Sequence, residues 1–301
     1  MTRRWPDTLP PPSIPGLRLQ PRDQVLRTDM EVGARRVRRI SQTRLDFVSA
    51  PFRFDAAQST AFRAWYYDDK VSLAGDSDSI AHWSRTNATL GAGAGLSPDL
   101  IPADRLIATA VGGLHNATLA LPDAALDGLE LVAWATLQAA GVTQAKLVII
   151  GRDEVYRGAE VNLTTGATGA VDSGVTCVVR PRGTGWRVEL RATVGAGLAT
   201  PQLRVALMDG AGSNSWTGNG VDGVDVSETQ ARVVTGQDLF IPCDADGKAR
   251  GMAGGAAWAR MAVAVEGREV LSEVRLSEPY AMQLMSALAG EVTLAMEVRN
   301  A

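Results

Sequence analysis

RTDMEVGARRVRRISQTRLDFVSAPFRFDAAQSTAFRAWYYD, residues 27–68, decides how this chain is read. It holds two strand patterns and one helix pattern. The first strand covers Ala34 to Ile40, where Val37 and Ile40 sit among arginines. The second covers Thr43 to Phe54, with Leu45, Phe47, Phe52 and Phe54 alternating with polar neighbours. Its register changes near Pro51, which marks a bulge or an edge position. Asp55 offers an N-cap, and Gln58 follows at the spacing of a capping box. Phe62, Trp65 and Tyr66 then share one helix face. Two strands and a short helix cannot bury both apolar faces alone. Their partners must come from elsewhere, and residues 69–82 do not supply them.

The far end of the chain has the complementary need. Three strand patterns close it: Ala257–Val265, Arg268–Leu276 and Glu291–Val298. Glu266-Gly267 joins the first two, a hairpin signal. The simplest solution pairs residues 27–68 with residues 257–299. Between them the character differs. Lys70 to His82, rich in Ser, Asp and Gly, reads as a linker. From Trp83 onward, short apolar runs alternate with Gly, Thr, Ser and Asn. Strands are predicted at Ile107–Val111, His115–Leu119, Leu129–Gln138, Gln144–Ile150, Tyr156–Leu163, Val175–Arg180, Trp186–Val194, Gln202–Met208 and Val224–Val233. Many short strands separated by turns argue for an all-β sandwich. The expected class is therefore mainly β: a β-sandwich or barrel with one α-helix, split by an inserted jelly-roll β-sandwich. Residues 1–75 and 241–301 form the split domain and residues 76–240 the insertion, placed where a surface loop tolerates one.

Residues 1–26 open the split domain. Pro6, Pro10, Pro11, Pro12, Pro15 and Pro21 remove amide donors, so this stretch reads as an extended arm and not a sheet strand. Trp5, Leu17 and Leu19 favour its docking onto a protein surface.

With 301 residues, the chain is long enough for about two domains. A net charge of −3 gives no footing for nucleic acid, and the Arg35, Arg36, Arg38, Arg39 cluster is local. The two cysteines, Cys177 and Cys243, make no disulfide framework. No apolar run follows the basic N-terminus, so no signal peptide is expected. No window approaches the ~20 apolar residues of a membrane span.

The two ends together resemble minor tail proteins of long-tailed bacteriophages, related to the distal tail proteins. The matching features are Trp5-Pro6 with Leu9-Pro10, the stretch Arg27–Gly33, the basic strand Arg35–Arg39, the helix ending AFRAWY, and the close VRLSEPYAMQLMSALAGEVTLAMEVRN, residues 274–300. The central part resembles jelly-roll, carbohydrate-binding-module-like domains of phage tails and fibres. That match lies in Trp83–Asn87, Asn162–Gly166, Gly185–Val188 and Trp216–Gly220, with Arg187 standing where such domains often carry an aromatic.

These resemblances imply a structural protein of the tail tip, virion-borne and assembled in the host cytoplasm. Copies would close a ring, a hexamer by resemblance, against tail tube, hub and fibre proteins. Arg35, Arg36, Arg38, Arg39 and Trp5 are the expected contacts between copies. The insertion would reach host surface glycans; the alternatives are a purely architectural insertion and a polysaccharide-degrading enzyme. Sugar binding needs an aromatic platform beside polar groups. Trp216 with Asn214 and Asn219, Trp134 and Tyr156 are the candidates, with Trp186, Asn116, Arg152 and Asp153 as further options. Trp134 lies in an apolar run that suits a core, and Trp186 suits a plug at the sandwich end. Asp222 with Asp225, or Asp244 with Asp246, offers carboxylates for calcium, but turn chemistry explains both pairs equally, and no metal or cofactor is expected. There is no GxSxG, HExxH or phosphate loop, and nothing singles out a carboxylate pair. The chain is therefore expected not to be an enzyme.

Overall fold

In the computed structural model, the described residues are 5–11, 18–21, 25–28, 36–39, 45–67, 71–95, 101–122, 126–234, 239–246, 248–249, 259–265, 268–276, 281–286 and 289–299. Side chains are described for those between 49 and 249 and for 5–11. Along the chain the elements are β1 (Arg18–Pro21), β2 (Val25–Thr28), β3 (Arg36–Arg39), β4 (Leu45–Asp55), α1 (Ala56–Tyr67), β5 (Ser84–Thr86), β6 (Ala88–Ala92), β7 (Asp104–Ala108), β8 (Gly112–Ala120), β9 (Glu130–Ala140) and β10 (Gln144–Ile150). They continue with β11 (Tyr156–Asn162), β12 (Thr168–Val171), β13 (Val175–Arg182), β14 (Gly185–Thr193), β15 (Gln202–Met208), β16 (Ser215–Thr217), β17 (Gly223–Val233), β18 (Ala259–Val265), β19 (Arg268–Leu276), β20 (Ala281–Ser286) and β21 (Ala289–Arg299). Among the described residues the protein is mainly β with one helix. Two compact units divide it: Met1–Asp69 with Ala249–Ala301, and Lys70–Lys248.

In the first unit, β4 and β21 pair antiparallel without a register break, from Leu45 opposite Arg299 to Asp55 opposite Ala289. The sheet runs β1-β4-β21-β19-β18, with β20 on β21. It stays open, and no barrel closes among the described strands. Pro51 lies inside the unbroken β4–β21 pairing but beyond β1, which reaches only Ser49. It thus takes an edge position and no bulge. Alternation along β4 buries Ala50, Phe52 and Phe54 and exposes Arg53 and Asp55. The capping box is present as read: Gln58 N–H donates to Asp55 Oδ1 at 2.8 Å, and Asp55 N–H donates to Gln58 Oε1 at 3.0 Å. Behind it, α1 buries Ala61, Phe62, Trp65 and Tyr66.

One expectation needs correction here. The proline-rich arm does contribute a strand, because β1 pairs β4 and ends on Pro21, an edge position that needs no N–H. Trp5 packs within its own unit. Its ring lies 5.0 Å from both Phe52 and Trp65 and 6.1 Å from Phe62. Arg36, Arg38 and Arg39 lie on β3, paired with β2. Arg35 and the Glu266-Gly267 turn lie outside the described residues, although Val265 opposite Arg268 frames that turn.

The second unit is a β-sandwich. One sheet runs β12-β11-β10-β15-β8-β16, with β5 also on β8; the other runs β13-β14-β9-β17-β7-β6. Its eight main strands, in sequence order, are β7, β8, β9, β10, β11, β14, β15 and β17. The sheets then read 1-8-3-6 and 2-7-4-5, the strand order of a jelly roll. Alternation sends Ala145, Leu147, Ile149, Leu203, Val205 and Leu207 inward from one sheet, against Leu131, Ala133, Ala135, Leu137, Val188 and Leu190 from the other.

Residues 71–82, read as a linker, are part of this unit. Ser77 Oγ donates to Cys243 O at 3.1 Å, and Gln230 Nε2 donates to the carbonyls of Val71 and Ile241, each at 3.0 Å. A Ser/Asp-rich composition misled because those hydroxyls and carboxylates supply the segment's own hydrogen bonds in a buried setting.

Candidate functional site

Strand alternation leaves one set of side chains on the outside of the seven-stranded sheet. Register aligns Thr118, Arg204, Val148 and Gly158 across β8, β15, β10 and β11. The next row holds Asn116, Ala206, Lys146 and Glu160, and Ile150 faces Tyr156. Val148, Ile150, Ala206 and Met208 form an apolar floor, each at most 8% exposed. Tyr156 stands at the start of β11 with 52% of its surface open. The Arg204 guanidinium lies over its ring, 5.1 Å from the centroid.

A hydrogen-bond chain crosses three strands here. Arg204 Nη1 donates to the Tyr156 hydroxyl oxygen at 3.3 Å, and Arg204 Nε donates to Thr118 Oγ1 at 3.0 Å. Thr118 Oγ1 in turn donates to Asn116 Oδ1 at 3.1 Å. The Tyr156 hydroxyl keeps its own proton for another acceptor. Beside this line, Lys146 Nζ is held by Asp172 at 3.1 Å. The result is a flat ring, a planar cation and hydroxyl and amide groups above an apolar floor. That combination can hold a ring-shaped polar ligand by stacking and hydrogen bonds together.

Two loops border the Tyr156 end. In the β10–β11 turn, Arg157 Nη2 grips Asp153 Oδ2 at 2.6 Å. Those bonds from Arg157 hold the Asp153 carboxyl down at about 2. Arg152 N–H donates to Gly195 O, and Ala199 N–H donates to Arg152 O, so residues 195–199 run alongside that turn. Leu198 at the tip is 98% exposed.

The other sequence candidates lie elsewhere. Trp216 sits on β16, whose alternation turns Ser215 and Thr217 outward and the indole toward the core. The indole packs edge-on against the buried His115 at 5.0 Å, and the His115 ring nitrogens lie 2.6 Å from Asn87 O and 3.0 Å from Trp216 O. Asn219 spends its side chain on its own turn, accepting from the N–H groups of Val221 and Asp222 and donating to Asp222. Asn214 is exposed. Trp216, Asn214 and Asn219 therefore do not assemble a platform. Trp134 is 2% exposed, with Phe240 across its edge and Arg232 over its face, so it offers no surface to a sugar. Trp186 is half-buried and donates from Nε1 to Leu163 O at 3.0 Å.

Three of the four candidate calcium carboxylates accept hydrogen bonds from the protein, Asp222 from Asn219 Nδ2 at 2.7 Å. Asp225 is gripped by Arg105 at 2.7 and 3.2 Å and also accepts from Ala94 N–H; Asp244 Oδ1 accepts from Asp246 and Lys248 N–H. Of the sequence candidates, only Tyr156 and Asn116 share a face. Sequence reading missed Arg204, Thr118 and Lys146. The signal was present in QLRVALM and QAKLVII, where each cation alternates with inward-facing aliphatics.

No family model and no curated protein matches the chain. Among solved structures it is similar to the enzymatically active domain of tailspike protein 4 of bacteriophage CBA120, at 15% identity and a TM-score of 0.34, over 56% of this chain and 22% of that one. It is also similar to TmCBM27, a carbohydrate-binding module that recognises mannan, at 10% identity and a TM-score of 0.32, over 55% of this chain and 95% of that one. One of the two is enzymatically active, so the expectation that this chain is not an enzyme is withdrawn. Neither likeness by itself assigns an activity.

Proposed function

We propose that residues 70–248 form a carbohydrate-binding module carried on a phage tail protein, with the outer face of the seven-stranded sheet as its glycan contact. The half-open Tyr156 ring, flanked by Arg204, Thr118 and Asn116 over an apolar floor, carries this reading. A pyranose presents an apolar face to such a ring and hydroxyls to the groups beside it. The first unit is proposed as the ring-building part at the tail tip of the virion, assembled in the host cytoplasm among tail tube, hub and fibre proteins, with a hexamer as the expected closure. The sequence resemblance and the arginine-bearing β3 support that part. Copies on one ring would multiply a weak single-site affinity.

The test is binding of the full chain to isolated bacterial surface polysaccharides. Tyr156→Ala is expected to weaken binding about 5- to 150-fold, the equivalent of the ~1–3 kcal/mol attributed to stacking on an aromatic ring. Asn214→Ala is expected to leave it unchanged. Binding that ignores Tyr156→Ala would move the glycan contact off this face, and no binding to any polysaccharide would leave the unit an architectural role.

A further inference from the structure

We propose that the glycan taken by this face is acidic, and that Arg204 holds its carboxylate. The inference rests on the glycan-binding reading above and names the ligand's class. A guanidinium carries five N–H donors. Among the described residues, Arg204 spends one on Thr118 and one on Tyr156. Three donors are left, and no carboxylate among the described residues pairs with Arg204. Five other arginines on the sandwich strands differ, while Arg85 gives its hydrogen bonds to the Ala81 and Trp83 carbonyls. Arg105 meets Asp225, Arg157 meets Asp153, Arg182 and Arg187 meet Glu228, and Arg191 meets Glu189. Each of those cations is balanced within the fold. Arg204 is a half-buried cation that meets only neutral oxygens among the described residues, which leaves it available to an anion from outside.

Nearby anions do not supply it. Asp172 is occupied by Lys146 Nζ at 3.1 Å and by Gly158 N–H at 2.8 Å, and Glu160 accepts from Ala170 N–H at 3.4 Å. Both therefore point toward the β11–β12 side of the sheet. The Thr118 and Tyr156 contacts also fix the guanidinium plane, so its remaining fork is set before a ligand arrives. Planar, bidentate pairing of this kind suits a carboxylate. The Tyr156 ring beside it distinguishes a sugar acid from a simple carboxylate, because only the former brings a pyranose face to stack.

The experiment immobilises polygalacturonate, alginate, hyaluronan and polysialic acid, each beside its carboxyl-reduced neutral form, and measures binding of the full chain. At least one acidic polymer is expected to bind. Carboxyl reduction and Arg204→Gln should each weaken that binding tenfold or more, Arg204→Lys should weaken it less, and added salt should weaken it progressively. Unfolding midpoints that match the parent protein show that Arg204→Gln is folded, and Arg204→Lys keeps the charge if it is not. Equal binding to acidic and reduced forms overturns the acidic assignment and leaves the glycan reading standing. Binding to none of the acidic polymers also overturns it. Silence of every reduced form and every host polysaccharide as well would fail the glycan reading itself.

Discussion

Gly166 shows how a single backbone position fixes an aromatic. Its φ is +74°, and a Cβ there would run into the Trp186 ring. Gly166→Ala combines left-handed strain with a steric clash, so a loss of about 1–3 kcal/mol in urea unfolding is expected. Asp153 gives a pH signature instead. Arg157 depresses its carboxyl from 3.8 to about 2. A depressed acid contributes stability above its ordinary range and loses it as pH falls through the folded value. Unfolding midpoints followed from pH 5 to pH 2 should therefore fall less steeply in Asp153→Asn than in the parent protein; parallel curves would show the pair to be idle. Neither effect was legible beforehand, since Trp186 and Gly166, or Asp153 and Arg157, carry no mark in sequence of which partner they meet.

At the scale of elements, β17 carries a break in its pairing. Its pairing with β9 shifts between Ser227 and Gln230, and Glu228 there has a φ of +51°. The bulge turns a fully buried carboxylate onto Arg182, Arg187 and Thr136, with Arg187 Nη2 at 2.6 Å. Glu228→Gln removes the negative charge that two largely buried guanidinium groups face. It is expected to cost about 3–5 kcal/mol, read by chemical unfolding. A loss under 1 kcal/mol would mean that solvent reaches the cluster.

Legibility divides along similar lines. β10 and β15 fall where alternation placed them, and the Asp55–Gln58 capping box was readable because all its chemistry is local. β5 and β12 escaped because every residue in them is exposed and no apolar alternation marks them. The fourth strand of the closing group, β20, also went unread. The Tyr156 site was half-legible: the ring was named, but Thr118 and Arg204 lie 86 residues apart and meet only through strand order.

For the whole molecule, the two chain ends share one sheet through β4 and β21, and residues 70–248 make a sandwich of their own. Function is assigned to one face of that sandwich. The claim is tested most directly by carbene footprinting of the full chain with and without a polysaccharide it binds. Protection is expected on Tyr156, Thr118 and Arg204, with Trp216 and Asn214 unchanged. Protection of the Trp216 loop, with the Tyr156 face labelled as before, would contradict the account.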